Sequence, residues 1–478
     1  MSLKQKAITG VVWSAIENFA AKGVQFILGI VLARILVPED YGLIGMIMVF
    51  LAISATFIDS GFSKALIQKK NRDEKDFSTV FYFNIAIAVC FYLILFFSAP
   101  LIANFYDQQV LVSIVRVIGL IVIINSFAVV QRSKFTINID FKTQTKASLL
   151  SIVISGLFGI YLAYSGYGVW ALVVQALIRA ALNVGALWYF SKWIPRDGFH
   201  YNRFKSLFSF GSKLLLSRLI DTVYKNIYLI VIGKLFSTAE LGFYTRAKQL
   251  NDFPSANITS ILQRVTFPLL SGIQDDNIRL KENYRLIIKL SALIVFPLMM
   301  GLAALAEPIV LIILTEKWLN SVWMLQLLCF AGMWYPIHSL NLSILNVKGR
   351  SDLFLRLEII KKVIITIVLI VSIPFGIKAM IIGQIFTSII GLVINTYYTN
   401  LIISYNLVQQ LSDIFGVLVV SLLMGTLIYV TIGYIENSAL QLLVGFIEGV
   451  LFFIGITWFA NIGEIRLLPT FFKSIKNK

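Results

Sequence analysis

The chain consists of about fourteen apolar segments, each close to the ~20 residues that a helix needs to cross a bilayer. Hydrophobic residues make up 58% of the 478 residues, far more than a water-soluble domain of this length requires. The sequence therefore predicts an all-α polytopic membrane protein. The predicted spans are 10–33, 41–58, 78–98, 110–130, 147–164, 169–190, 207–232, 241–268, 287–306, 321–345, 355–374, 378–403, 412–434 and 440–461. Span 7 is the least hydrophobic, so the alternative is a protein with thirteen spans.

Basic residues are concentrated in alternate linkers. They lie at the N-terminus and after spans 2, 4, 6, 8 and 10, whereas the intervening linkers carry only Arg34, Lys234, Lys317 and Lys378 as clear basic residues. Because cytoplasmic loops are enriched in Lys and Arg, this alternation predicts a bacterial inner-membrane protein with both termini in the cytoplasm. The linker 404–411 has no basic residue, so the pattern does not fix the orientation of the last two spans.

The net charge of +17 lies in short loops beside the spans, where anionic membrane lipid attracts it, and nucleic-acid binding is not expected. Cys90 and Cys329 both fall inside spans, and His200 and His338 are far apart. We therefore predict no disulfide framework, metal site or cofactor. The N-terminal apolar stretch is longer than the core of a signal peptide and is expected to be the first span.

Two pairs of short, similar segments indicate an internal repeat. Residues 31–42 align without a gap to 231–242, an offset that pairs Asp40 with Glu240 and Gly42 with Gly242. In the second pair, residues 166–171 are similar to residues 374–379. Since six spans are an even number, the two halves are expected to be parallel six-helix lobes. The predicted organisation is an N-terminal lobe (1–195), a cytoplasmic linker (196–206), a C-terminal lobe (207–403), and two extra helices with a basic tail (404–478). The hydrophilic stretch 191–205 is the predicted hinge-side linker.

One block of sequence carries a family resemblance. It contains Ala-Arg-x-Leu-x-Pro-Glu-Asp-Tyr-Gly at 33–42, Asp-Ser-Gly at 59–61, Ala-Leu-Ile-Gln at 65–68, and Asp-x-Ser-Thr at 76–79 before Asn84. This block resembles the Wzx-type flippases of the multidrug/oligosaccharidyl-lipid/polysaccharide exporter superfamily. The resemblance implies a fourteen-helix, two-lobed transporter. Its expected substrate is an undecaprenyl-pyrophosphate-linked oligosaccharide for O-antigen, capsule or exopolysaccharide assembly.

Charged residues inside the predicted spans are the candidates for the transport site. A charge at bilayer depth costs from ~3 to more than ~10 kcal/mol, so each must face water, pair or reach the headgroups. Arg218, Asp221 and Lys225 fall on one helix face, at positions i, i+3 and i+7. The full cationic set is Lys22, Arg116, Arg179, Lys213, Arg218 and Lys225, and the candidates for ion coupling are Asp221, Glu17 and Asp252.

Several readings of these charges stay open. Arg116 lies close enough to a span end to reach headgroup depth, and Glu17 with Lys22, or Asp221 with its basic neighbours, would also suit structural ion pairs. Arg179 and Arg218 lie deepest, and lining a cavity is the favoured reading for them.

The surplus of positive charge favours an anionic ligand. Arg binds phosphate oxygens in pairs and Lys binds them as a point charge, so a pyrophosphate suits this set and an organic cation does not. We therefore expect a flippase working by alternating access. The alternatives are a multidrug exporter of the same superfamily and a membrane-embedded polysaccharide polymerase or transferase. Expected partners are the lipid-linked oligosaccharide, anionic membrane lipid and a polysaccharide polymerase complex, and a monomer is sufficient for function.

Overall fold

The computed structural model describes residues 20–59, 62–69, 71–460 and 462, and in these ranges the regular structure is helical, with no β-strand. Eight helical stretches there are long and apolar enough to cross a membrane. A ninth is obtained if the bent pair Leu111–Ser126 and Val129–Ile137 is counted as one span. The protein is therefore an all-helical, multi-pass membrane protein, as the hydropathy pattern predicts.

The helices pack into two compact units, Met1–Thr245 and Arg246–Lys478, called here the N-terminal and C-terminal units. The lobes predicted from the repeat have other bounds, because they assign span 7 to the second lobe. They describe a repeat in the sequence rather than a division by packing, and they stay a prediction.

In the described residues, the N-terminal unit follows the predicted spans, except at span 4. Residues 10–19 of predicted span 1 lie outside the described residues. Its helices are α1 (20–35), α2 (Pro38–Asp59), α3 (Phe62–Gln68), α4 (Glu74–Tyr106), α5 (Leu111–Ile118), α6 (Leu120–Ser126), α7 (Val129–Ile137), α8 (Phe141–Tyr164), α9 (Val169–Ser191) and α10 (Tyr201–Leu235), and α11 (Thr238–Ser271) begins in it. Span 4, predicted as one helix, is divided among α5, α6 and α7. Gly119 lies at the first break, where glycine's low helix propensity makes an interruption inexpensive.

Helices α4 and α10 run parallel and are joined by an ion pair at each end. Asp73, the N-cap of α4, binds Arg203 near the start of α10 with an oxygen–nitrogen distance of 2.8 Å. Asp107, the C-cap of α4, binds Lys234 near the end of α10 at 3.0 Å. The two helices therefore begin together and end together, although α10 is much less apolar than α4.

The linker that enters α10 is fastened to α4. Trp193 is buried, and its Nε1–H donates to the carboxylate of Glu74 at 2.8 Å. Further along, the backbone N–H of His200 donates to Thr79 Oγ1 at 3.1 Å. The stretch 191–205 therefore contacts α4 within the N-terminal unit, and its role as a hinge-side linker stays a prediction.

The C-terminal unit also follows the predicted spans, with one further break. It holds the rest of α11, then α12 (Asn277–Ala304), α13 (Ala306–Ile313), α14 (Val322–Gly332), α15 (Tyr335–Val347), α16 (Ser351–Ser372), α17 (Gly376–Ile403), α18 (Leu407–Ile432) and α19 (Ser438–Phe459), with 3₁₀ turns at Glu316–Ser321 and Ile373–Phe375. Span 10, predicted as one helix, is divided into α14 and α15. Pro336 lies at the start of α15 and has no N–H to donate to the carbonyl of Gly332, so the first helix ends there.

Polar contacts attach α18 to the rest of the C-terminal unit. Arg285 of α12 donates two hydrogen bonds of 2.7 Å to the carboxylate of Asp413 in α18. Tyr405 donates to the same carboxylate at 2.6 Å. Deeper in the unit, the buried amides of Asn341 and Gln410 bind each other. Helix α18 lies outside the predicted repeat, yet these bonds fix it against α12 and α15.

Candidate functional site

A cavity of about 500 Å³ lies inside the N-terminal unit. Helices α2, α3, α6, α7 and α10 supply its walls, and α10 contributes residues from its midpoint. The apolar part of the lining comes from Leu51, Ala55, Ile58, Ile121, Val122 and Val129. The polar part comes from Thr56, Ser63, Asn125, Arg132, Arg218, Asp221, Thr222 and Lys225. A polar cavity at mid-helix depth is where a membrane protein can hold a charged group away from lipid.

One face of α10 forms a wall of this cavity. Arg218, Asp221 and Lys225 all line it, so the helical spacing that predicted a shared face places the three side chains together. This face is held against α2 by a hydrogen bond of 3.0 Å between the hydroxyls of Thr222 and Thr56. The wall is therefore positioned by packing and by a hydroxyl pair.

Arg132 belongs to the same cavity, and the sequence reading did not select it. It was counted among the basic residues of the linker after span 4. Because α7 continues beyond the predicted end of that span, Arg132 instead reaches into the bundle. Its Nη2 donates to Asn183 Oδ1 of α9 at 3.1 Å and lies 3.5 Å from Asn125 Oδ1 of α6. The signal that could have found it is Asn125, which lies two helical turns earlier in the same broken span.

The described lining of the cavity is cationic. Among its residues, Arg132, Arg218 and Lys225 contribute three positive charges, and Asp221 contributes one negative charge. Arginine and lysine provide donors alone, and the neutral polar groups beside them are hydroxyls and amides that bind hydroxyl groups equally well. In the described part of the chain, no group of three or more His, Cys, Asp or Glu is arranged to hold a metal ion. The described lining thus has the charge and the hydrogen-bonding groups to bind an anion and hydroxyl groups.

Other predicted site residues of the N-terminal unit lie outside this cavity. The guanidinium of Arg116 lies 4.4 Å from the centre of the Phe96 ring, and its Nε donates to the Phe96 carbonyl at 3.4 Å. Arg179 is exposed on α9, one turn before Asn183. Lys22 is exposed on α1. These three are not brought to the wall that Arg218 and Lys225 form.

The remaining predicted site residues are Asp252, Glu17 and Lys213. Asp252, on the C-terminal-unit part of α11, forms an ion pair of 3.1 Å with Lys248 one turn earlier. That pairing compensates the charge of Asp252, and ion coupling through Asp252 stays a prediction. Glu17 lies outside the described residues, and the side chain of Lys213 is likewise outside what the structure describes.

The family model for polysaccharide biosynthesis proteins matches residues 31–323. The chain is 29% identical over 357 residues to the teichuronic acid biosynthesis protein TuaB of Bacillus subtilis, covering 74% of this chain and 73% of TuaB. It is 25% identical over 374 residues to the lipopolysaccharide biosynthesis protein WzxC of Escherichia coli, covering 76% and 74% of the two chains. These matches confirm the resemblance predicted from residues 33–84.

A solved structure has the same fold. The inward closed conformation of the lipid II flippase MurJ matches with a TM-score of 0.75, over 94% of this chain and 99% of MurJ. The sequence identity is 15%, so the likeness concerns the fold alone.

Proposed function

Because the chain belongs to the polysaccharide biosynthesis protein family, we propose that it moves undecaprenyl-pyrophosphate-linked oligosaccharide repeat units across the inner membrane. The repeat units would serve O-antigen, capsule or exopolysaccharide biosynthesis. The observation that carries the proposal is the cationic cavity at the midpoint of α10, with Arg132, Arg218 and Lys225 in its lining.

The cavity suits the two parts of such a headgroup. A pyrophosphate offers oxygens that Arg218 and Arg132 can bind in pairs, while Lys225 adds a third positive charge. Sugar hydroxyls both donate and accept hydrogen bonds, as do the hydroxyl of Thr56 and the amide of Asn125 beside them. The polyprenyl tail, being apolar, needs no protein contact and can remain in lipid.

The MurJ-like fold supports a two-lobed transporter that works by alternating access. In this proposal, fourteen helices span the inner membrane with both termini in the cytoplasm. The ion pairs that join α4 to α10 at both ends support the higher span count. Helix α4 is apolar enough to cross a bilayer, and α10 is of matching length and parallel to it, so α10 crosses as well. A single chain would suffice, with anionic lipid around it and a polysaccharide polymerase complex receiving the product.

Two other functions are less well supported. A multidrug exporter of the same superfamily that extruded organic cations would need a cavity of the opposite charge. A polymerase or transferase would need a catalytic group, whereas Asp221 is the one carboxylate among the described residues of the lining, which include no histidine or cysteine. The chain is therefore a transporter in this proposal and not an enzyme.

The test is export in a strain that lacks the chromosomal copy. The wild-type chain should restore surface polysaccharide, and a double variant, Arg218→Ala with Lys225→Ala, should leave repeat units on the cytoplasmic leaflet. Lys146→Ala removes an exposed cation of α8 outside the cavity and is the matched control. Full export by the double variant would exclude the cationic cavity as the substrate site. Repeat units that reach the periplasmic leaflet without the chain would exclude the flippase.

A further inference from the structure

The last helix, α19, contains a single charged residue, Glu448, the eleventh of its 22 residues. At a rise of 1.5 Å per residue, the Glu448 Cα lies roughly 15 Å along the helix axis from either end. The helix is among those long and apolar enough to cross the membrane. A carboxylate at that depth requires a cation, a water-filled space or a bound proton.

Glu448 has one hydrogen-bond partner in the described part of the chain. Thr431 of α18 donates a hydrogen bond of 3.0 Å to Glu448 Oε1. The other carboxyl oxygen, Oε2, is buried and has no hydrogen-bond partner in the described part of the chain. On the same side of α19, Gly445 packs on Leu305 and Ile428. The site therefore holds one hydrogen-bond donor and no second polar group at Oε2.

In the described part of the chain, the helices that pack most extensively against α19 are α12, α13 and α18, and they bring no cation to Glu448. Helix α18 carries Asp413, near its start and bound to Arg285, and Tyr429, which is 60% exposed. Helix α13 carries Glu307 in its first turn. All basic residues of α12 lie in its first half, at Arg279, Lys281, Arg285 and Lys289.

Two other acidic residues inside spans of the C-terminal unit have cationic partners, unlike Glu448. Glu358 of α16 forms ion pairs with Lys361 and Lys362. Asp413 of α18 is bound by Arg285, with Lys289 at 3.7 Å. Both carboxyls thus have cationic partners. Glu448 has no such partner within the described residues, and a carboxylate oxygen buried without a partner is costly.

We propose that Glu448 is a proton-binding site between α18 and α19. The proton occupies Oε2 while the carboxyl is packed between the helices and Thr431 binds Oε1. When the proton leaves to water, a carboxylate remains that has to reach water or headgroups, so release requires α19 to shift against α18. The position of α19 against α18, the two helices outside the repeat, thereby depends on whether Glu448 holds a proton. The inference goes beyond the transport proposal and does not depend on it.

The test reads the carboxyl itself, in the full-length protein reconstituted in liposomes. N,N′-dicyclohexylcarbodiimide adds across the O–H of a protonated carboxyl, and the resulting O-acylisourea rearranges to a stable N-acylurea that peptide mass spectrometry locates. We expect an adduct at Glu448 at mildly acidic pH that decreases as the pH is raised. Glu358 and Asp413 in the same digest should stay unmodified. Adduct formation at Glu448 that does not change with pH would overturn the proposal.

A second measurement covers the case in which the reagent does not reach the site. The infrared spectrum of the wild-type protein at acidic pH should contain the carbonyl band of a protonated acid that is lost in Glu448→Gln. Absence of both the adduct and the band would overturn the proposal. The variant Thr431→Val removes the O–H that stabilises a carboxylate, so Glu448 should keep its proton to higher pH in it. A purely structural contact between α18 and α19 would not produce that shift.

Discussion

Gly42 and Gly242 contact each other's helices reciprocally. A Cβ on Gly42 of α2 would lie 1.9 Å from the carbonyl oxygen of Thr238, and a Cβ on Gly242 of α11 would lie 1.9 Å from that of Pro38. Both contacts obey the 200-residue offset found in the sequence. The capping bonds obey it too, since the N–H of residue 37 donates to Asp40 and the N–H of residue 237 donates to Glu240. The aligned residues thus have equivalent contacts where the two helices cross.

We expect Gly42→Ala and Gly242→Ala each to destabilise the protein, because a methyl group cannot fit 1.9 Å from a backbone oxygen unless the helices separate. Overpacking of this kind costs about 1–3 kcal/mol. The double variant should lose less than the sum of the single losses, since one separation relieves both contacts. Thermal unfolding in detergent measures this. Gly185→Ala, in α9 with open space around the new Cβ, is the control and should be neutral.

We expect substitution of Arg132 to reduce export, although its position just after a predicted span indicates a loop residue. Arg132→Ala removes a charge-assisted contact worth about 1.5–3 kcal/mol, which corresponds to about tenfold or more in affinity for an anionic headgroup. Arg132→Lys keeps the charge but loses the planar fork that lies between Asn125 and Asn183, so it should restore export in part. The measurement is the rate at which repeat units reach the periplasmic leaflet. Equal export by wild type and Arg132→Ala would contradict the assignment.

The contacts at the start of α4 should matter for stability rather than transport. Asp76 is fully buried, and both of its carboxylate oxygens lie 2.6 Å from Lys69 Nζ. Asp76→Asn leaves that partly exposed ammonium without its carboxylate, and we expect a loss of about 3 kcal/mol. Asp107→Asn breaks the pair at the other end of α4, where the Asp107 side chain is 80% exposed, and should cost at most ~1 kcal/mol. Denaturation of the two purified variants in detergent measures both losses of stability. Equal losses would contradict the idea that the burial of Asp76 makes its ion pair the more important one.

The sequence predicted what depends on local patterns. Hydropathy located the apolar helices of the described residues, although α12 begins ten residues before its predicted span. Helical spacing placed Arg218, Asp221 and Lys225 on one face. It did not predict what depends on breaks in helices and on distant partners. Arg132 reaches the cavity because span 4 is interrupted and continues as α7. Arg116 is held instead by the ring of Phe96, twenty residues away in the chain. Glu448 lies inside predicted span 440–461, as the other candidate charges lie inside theirs, but its lack of a cationic partner becomes visible only in the fold.

The last prediction concerns the number of spans and their orientation. If α10 crosses the bilayer as α4 does, positions before and after it lie on opposite sides of the membrane. In a chain with both native cysteines replaced by alanine, Ser237→Cys should react with a membrane-impermeant maleimide added from the periplasmic side. Arg196→Cys should react only after the cytoplasmic side is opened. Both residues are exposed, so the difference reports topology rather than burial. Reaction of both cysteines from one side would show that α10 does not span and that the chain has one span fewer.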